Sequence, residues 1–443
     1  MKSDGLAADV LIVGGGFSGT MLAAELARRQ LSAVLIESKE RAGRGTAFST
    51  AEDTHLLNVP AARMGAWADQ PDDFAKAVGD EGLQPEAYAP RRRYGEYLRS
   101  ILDDAERSGF VTVIRGEAVD AGHQNERWQV SLADGSRIEG RALALAQGNQ
   151  PPRPPALARG IPDELFVNDP WSELGRKALI KTAASGGDVL LIGTGLTMVD
   201  VVLSLDEARL RGRVVALSRR GLAPRAHADH GLAPVTLEEL PQGSLRELWR
   251  WLLDRGAAVG WRAAVDSLRP HSHALWQSLG EEQQRRFLRH ARPWWDVHRH
   301  RIAPEIAGRI QRLVQLGQLE IFAGRVTDMW VEGNQLGVTI KRRGKGQGTE
   351  HRFALAVNCT GPLGAVSDSS DPLIKSLFES ELARADVLDL GLEVDERSRL
   401  TGAPLAWALG PMTKGRYWEI TAVPDIRGQV AQVAKDIAEE LNR

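Results

Sequence analysis

The chain has 443 residues, enough for two or three domains that each bury a core, and its apolar and charged fractions, 43% and 26%, are ordinary for a globular protein. A net charge of −2 gives no electrostatic reason to expect nucleic acid or an anionic membrane as partner. One cysteine, Cys359, excludes an intramolecular disulfide framework and a Cys-x-x-Cys redox pair, and no apolar run approaches the roughly 20 residues that span a bilayer.

The chain begins as strand, glycine turn, helix, strand. Residues 8–13 form a short apolar run suited to a buried parallel strand, and Gly14-Gly15-Gly16-Phe17-Ser18-Gly19 follows. Met21, Leu22 and Leu26 then mark one face of a helix, and residues 31–36 give the next strand, ending at Glu37. Residues 111–148 read as a strand, a three-stranded meander through Val119, Trp128 and Ile138, and a final apolar strand ending at Gly148. Gln150-Pro151-Pro152-Arg153-Pro154-Pro155 reads as a stiff, extended crossing between domains.

The same grammar restarts at Asp188. An apolar strand at 189–192, the turn Gly193-Thr194-Gly195, a helix over 196–208 and a strand at 214–217 ending in Ser218-Arg219-Arg220 follow one another. Residues from about 236 to 316 carry Leu, Arg and Trp at helical spacing and predict a helical insertion. Residues 319–361 repeat the meander and its closing apolar strand, ending at Gly361. The expected fold is α/β: two Rossmann-like dinucleotide-binding domains, each with a three-stranded β-meander, plus the insertion in the second. The expected division is 1–150 for the first part of one nucleotide domain, 151–350 for the other, and 351–443 for the return to the first.

Gly14, Gly16 and Gly19 have the dinucleotide fingerprint in its required context, after a strand and opening a helix. Phe17 and Ser18 complete that turn, whose helix N-terminal amides favour a pyrophosphate. Glu37, about 20 residues on and followed by Ser38, is placed to accept ribose hydroxyls. Arg41-Ala42-Gly43-Arg44-Gly45 extends the site beyond Glu37, where a longer ligand would continue.

At these residues the sequence resembles the FAD/NAD(P)-binding superfamily of flavin monooxygenases and pyridine-nucleotide oxidoreductases. That resemblance implies FAD in the first site. The glycine pair Gly43 and Gly45, with Arg44 between them in the cofactor site, would face the flavin side, the Val119 backbone would meet the adenine, and Gly361 would close the FAD domain as Gly148 closes the first meander. Gly410 and Pro411 would end the last flavin-contacting strand. Ile426 would open a C-terminal helix aimed at the flavin, the alternative being a helix that only packs on the core. Residues 56–67 would run near the ring, with Asn58 and Met64 either flavin neighbours or loop residues holding the domain together. A narrower likeness, to a bacterial FAD/NAD(P)-binding protein family, is carried by Gly43-Arg44-Gly45-Thr46-Ala47-Phe48-Ser49, His55-Leu56-Leu57-Asn58-Val59-Pro60-Ala61, Pro90-Arg91-Arg92-Arg93-Tyr94-Gly95 and Trp418-Glu419-Ile420-Thr421-Ala422-Val423-Pro424-Asp425-Ile426-Arg427.

In the second site Gly193 and Gly195 repeat the turn, with Leu196 and Thr197 following, but Met198 stands where the third glycine belongs and is expected to push helix from strand. Ser218, Arg219 and Arg220 replace the strand-end acid, which favours a 2′-phosphate and hence NADPH over NADH. A second nucleotide fold that binds nothing is the alternative. Cys359 reads as a buried structural thiol, and His227 and His230 as candidate neighbours of nicotinamide or substrate. The insertion histidines have no spacing that completes a metal site.

The expected function is an FAD-dependent, NADPH-using oxidoreductase. Its first form is a monooxygenase hydroxylating a small nitrogen-containing or heteroaromatic molecule. The alternatives are electron transfer to a quinone or protein, and a non-enzymatic flavin-binding redox sensor. A small-molecule substrate, no metal, no nucleic acid, no membrane insertion and a cytoplasmic location are expected. No catalytic residue and no oligomeric state is assigned.

Overall fold

The computed structural model describes residues 6–80 and 82–443. In its first sheet β1 (Leu6–Val13), β2 (Ala33–Glu37) and β3 (Val111–Arg115) run parallel. The meander strands are β4 (Ala118–Gln124), β5 (Arg127–Leu132) and β6 (Arg137–Leu145), and the order is β3-β2-β1-β6-β5-β4. All five residues of β2 are buried because both faces of the sheet are covered. The helices Phe17–Arg28, Arg91–Arg107 and Val423–Leu441 cover one face. The meander and the helix Pro372–Glu379 cover the other.

One expectation changes here. The third meander strand and the closing apolar strand are a single strand, β6. Its first half alternates exposed and buried residues against β5, and its second half is buried throughout beside β1.

The second sheet repeats the plan with β7 (Phe166–Val167), β8 (Val189–Ile192), β9 (Val214–Ser218), β10 (Leu319–Glu332), β11 (Gln335–Arg342), β12 (Thr349–Phe353) and β13 (Leu355–Asn358). Its order is β12-β11-β10-β9-β8-β13-β7. The break in the chain has moved: β10 runs parallel to β9 and continues into the meander, whereas β12 and β13 are separate. β13 pairs with β8, so the second unit extends through Asn358 and the expected boundary at 350 falls short. The apolar run before Cys359 completes that unit's buried parallel sheet and does not open the return. The chain re-enters the first sheet only at β14 (Ala406–Ala408), beside β6.

The helices Leu245–Val259, Trp261–Leu268, Ser272–Ser278, Glu281–Arg286 and Arg292–Arg299 form the insertion around their own core of Val265, Leu268, Trp276, Phe287 and Trp295. The last predicted helical stretch belongs elsewhere. Ile306 and Leu313 of the helix Pro304–Gln315 lie in the second unit's core, since parallel β9 and β10 need a covering crossover. The insertion docks on the C-terminal return. Trp276 Nε1 donates to the Gly415 carbonyl at 2.8 Å, and Trp295 Nε1 donates to Glu419 Oε1 at 2.7 Å.

Asp436 anchors the C-terminal helix. Its buried carboxylate accepts from Arg399 through two bonds of 2.6 Å and from Trp407 Nε1 at 3.0 Å. Burial alone would raise its pKa, but the Arg399 and Trp407 bonds outweigh burial and leave it lowered. Its contribution to stability is therefore present above the unfolded-state value of about 3.9 and is lost as pH falls through the lower folded value. Asp436→Asn should lower the melting temperature at pH 7, with the gap to wild type closing below about pH 4. Parallel melting curves across that acid range would contradict this account.

Candidate cofactor-binding site

The first glycine turn is shaped by close backbone approach. Gly14 has φ +105°, and an added Cβ would stand 2.4 Å from the Ala146 carbonyl oxygen. At Gly19 an added Cβ would stand 1.9 Å from the Gly14 carbonyl oxygen, so helix and strand meet only because no side chain intervenes. Gly16 is different: it caps the helix, and its Cβ would meet only Gly45 Cα at 3.7 Å. That face is open to a ligand. Phe17 and Ser18 are buried in the first helical turn.

Glu37 ends β2, with Oε2 accepting from the Gly15 amide at 2.9 Å and Oε1 from the Lys39 amide at 3.0 Å, while Ser38 is exposed beside it. Beyond Glu37 opens a cavity of about 370 Å³ lined also by Lys39, Glu40, Arg41, Arg44, Arg99 and Arg115. Arg41 Nε is buried there without a partner. A donor of this kind lacks an anion. The open Gly16 face, the carboxylate and the unpaired guanidinium together fit a nucleotide's pyrophosphate and ribose. Arg99 and Arg115 were not read from the sequence, because no motif marks them. Tertiary packing brings them here from the helix Arg91–Arg107 and from β3.

Gly45, with φ +59°, approaches the Gly16 backbone. Val119 falls at the β4 bulge, past Arg115, which pairs with Glu37. Gly148 follows β6 with φ +72°. Gly410, with φ +62°, packs against Ser18, where an added Cβ would stand 2.7 Å from the hydroxyl, and its amide donates to Gln429 Oε1 at 2.7 Å. Pro411 lies in the turn Gly410–Thr413, and Ile426 is buried in the first turns of the C-terminal helix. Met64 is buried in the first core. The Asn58 carbonyl accepts from His227 Nε2 at 3.0 Å, joining the first unit to the second. Burial, and then the Arg301 charge, push His227 down to about 4, which keeps it neutral at pH 7.

The second turn repeats the first. Gly193 has φ +118°, and its Cβ would stand 2.1 Å from the Cys359 carbonyl oxygen. Gly195 caps the helix Leu196–Glu207 at φ −85°, ψ −161°, against −78° and −165° at Gly16, and an added Cβ there meets nothing. Leu196 and Thr197 form the first turn. The expected distortion by Met198 is not found: its side chain is absorbed into the second core, and the cap keeps its geometry.

Ser218 ends β9, but its Oγ already accepts from Thr194 Oγ1 at 2.8 Å and from the Gly221 amide at 3.0 Å. Arg219 is exposed, and Arg220 donates to the His290 carbonyl at 2.9 Å. Gly361 does not close the first domain. It follows β13, whose neighbour Cys359 forms the wall of the Gly193 turn, because that strand belongs to the second sheet. Cys359 is buried, and burial pushes its thiol well above the usual range.

His230 bonds Asp266 at 2.9 Å, His271 the Val235 carbonyl at 2.8 Å and His298 the Trp294 carbonyl at 2.7 Å. Among the described residues no group of His, Cys, Asp or Glu is arranged to hold a metal, and no helix is long and apolar enough to cross a membrane.

Residues 11–150 match the FAD-NAD(P)-binding family model. A search of curated proteins finds no match. Among solved structures, the chain is similar to L-lysine 6-monooxygenase from Pseudomonas syringae at TM-score 0.67 and 16% identity, covering 98% of this chain and 99% of that one. It is similar to the reduced form of ornithine hydroxylase from Pseudomonas aeruginosa at 0.64 and 15%, covering 98% and 100%. It is also similar to bacillithiol disulfide reductase from Staphylococcus aureus at 0.61 and 14%, covering 98% and 99%. Identities this low establish the fold. Residues 11–150 thus match an FAD-NAD(P)-binding domain, and the chain as a whole shares the fold of these solved structures.

Proposed function

We propose that the protein is an FAD-dependent, NADPH-using oxidoreductase of the cytoplasm and, within that class, a monooxygenase that hydroxylates a small nitrogen-containing molecule. The observation that carries this reading is the paired geometry of the two glycine turns, Gly14 to Gly19 and Gly193 to Met198, joined at Asn58 and His227. Structural neighbours that act on lysine and ornithine support the substrate class. With one buried cysteine of raised pKa, this chain has no dithiol of its own to exchange with a disulfide.

Bound FAD would supply the redox chemistry, taking a hydride from NADPH and passing electrons onward. Gly14, Gly16, Phe17, Ser18 and Gly19 would hold its pyrophosphate at the helix N-terminus, Glu37 its ribose, and Arg41 and Arg44 its phosphate charge. Gly45, Asn58, Met64, Gly410, Pro411 and Ile426 would border its ring. Gly193, Gly195, Leu196 and Thr197 would cradle the NADPH pyrophosphate. Arg219 and Arg220 would meet the 2′-phosphate, with Ser218 shaping the turn through its internal bonds. His227, neutral at pH 7, would fix the Asn58 carbonyl by donating its Nε2 proton.

Anaerobic titration of the FAD-loaded protein with NADPH should bleach the visible flavin band, with NADH markedly slower. A yellow protein that neither donor reduces would remove the second site from the mechanism. Substrate-dependent incorporation of oxygen from O₂ then tests the monooxygenase step, and NADPH oxidation giving only peroxide with every small amine tried would count against it.

A further inference from the structure

Arg299 ends the helix Arg292–Arg299 and Arg301 follows it, only 8% and 3% exposed. Backbone pairing fixes their place. The Ile302 amide donates to the Arg225 carbonyl at 3.0 Å, and the His227 amide donates to the Ile302 carbonyl at 2.9 Å. Arg301 uses Nη2 on Asp266, which leaves Nε and Nη1 buried without an acceptor. Arg299 Nε is ion-paired with Glu419 Oε2 at 3.1 Å, and its Nη2 is buried without an acceptor. In the first turn of the C-terminal helix Asp425 Oδ2 is unpaired as well.

Leaving a charged donor buried and unpaired is costly. Three such nitrogens, Nε and Nη1 of Arg301 and Nη2 of Arg299, describe a site completed by something else. Arg299 places its charge near both Arg269 and Arg301, and burial, with that charge behind it, lowers the pKa of each. Asp266, Glu419 and Asp425 lie among these arginines, and burial pushes the Asp425 carboxyl upward. A planar guanidinium matches a carboxylate through two parallel bonds.

We propose that Arg299 and Arg301, where the insertion meets the first turn of the C-terminal helix, bind the carboxylate of the substrate through their free N–H groups. This rests on the monooxygenase reading and adds to it the substrate's class, a small organic acid.

The test is calorimetric titration of the FAD-loaded protein with matched acids and amides: acetate and acetamide, hexanoate and hexanamide, benzoate and benzamide, with inorganic phosphate alongside. Tryptophan emission gives a second readout, since the Arg301 guanidinium lies 5.9 Å from the Trp261 ring centroid and Trp295 bonds Glu419. At least one acid should bind saturably while its amide does not, and Arg301→Gln and Arg299→Gln should each weaken it by about tenfold or more. Equal binding of acid and amide in all three pairs, or absence of binding by all of them, overturns the proposal. So does phosphate binding as tightly as the best acid. The wild-type comparison stands even where a variant folds poorly. No NADPH or oxygen enters the assay, so failed flavin reduction with intact acid binding would remove the proposed activity and leave this site standing.

Discussion

Gly14→Ala is expected to yield a protein that purifies without FAD. At φ +105° an alanine is strained by roughly 1–2 kcal/mol before any contact is considered. Its Cβ would also stand 2.4 Å from the Ala146 oxygen and 2.9 Å from Gln147 Cα. Both atoms are backbone at the end of β6, which is pinned by seven register pairs to β1, so neither can retreat without opening the centre of the sheet. Stability and cofactor should fall together. Gly16→Ala separates the two effects, since its Cβ would meet only Gly45 Cα at 3.7 Å. The apoprotein should melt near the wild-type temperature, while the flavin-to-protein ratio drops because the methyl fills the face a pyrophosphate must approach. A Gly16→Ala protein that keeps FAD at wild-type affinity would show that the ligand does not use this face.

How much of this was legible depended on whether the signal was local. Glycine turns are: a backbone forced to positive φ, or into contact with a neighbouring strand, demands glycine at that position, so Gly14, Gly19 and Gly193 announce themselves. The duplication was legible for the same reason, since apolar strands buried on both faces leave unmistakable runs at β1, β2, β6, β8 and β13. Met198 misled because the fingerprint treats its third position as a rule about helix–strand distance. The second core had room for a side chain there. Gly361 misled because a closing glycine looks alike in both units, and only strand pairing decides which sheet it closes.

The Arg299 and Arg301 cluster had no local signature at all. Each sits in an arginine-rich helical stretch whose neighbours Arg285, Arg286 and Arg292 make exposed ion pairs one turn away. What makes two of these arginines different is the docking of the insertion on residues more than a hundred positions along the chain. Composition cannot carry that. The motif residues Pro90-Arg91-Arg92-Arg93 and His55 were visible as a family likeness without a role, and the structure gives one to Arg91 and His55.

Arg91 and Asp200 hold the two units together, and Asp200→Ala should be among the most damaging changes outside the glycine turns. Arg91 donates to both oxygens of Asp200 at 2.8 and 3.1 Å, the two side chains being 18% and 7% exposed. The same arginine donates from Nε to the Leu56 carbonyl at 3.1 Å, and His55 Nε2 faces both the Asp200 carbonyl and Ser204 Oγ at 3.1 Å. The loop leading to Asn58 is thereby tied to the helix that starts at the second glycine turn. Truncating one member of a mostly buried pair leaves the other charge uncompensated and costs about 3–5 kcal/mol, whereas removing both costs less. Asp200→Ala should therefore lower the melting temperature more than Arg91→Met/Asp200→Ala does. In both variants FAD content should hold, since neither residue lines the first turn, while reduction by NADPH slows because the units are no longer fixed in register. Should Asp200→Ala melt with wild type and reduce at the wild-type rate, the clasp contributes nothing, and the Asn58–His227 contact together with the docked insertion must set the geometry between the sites.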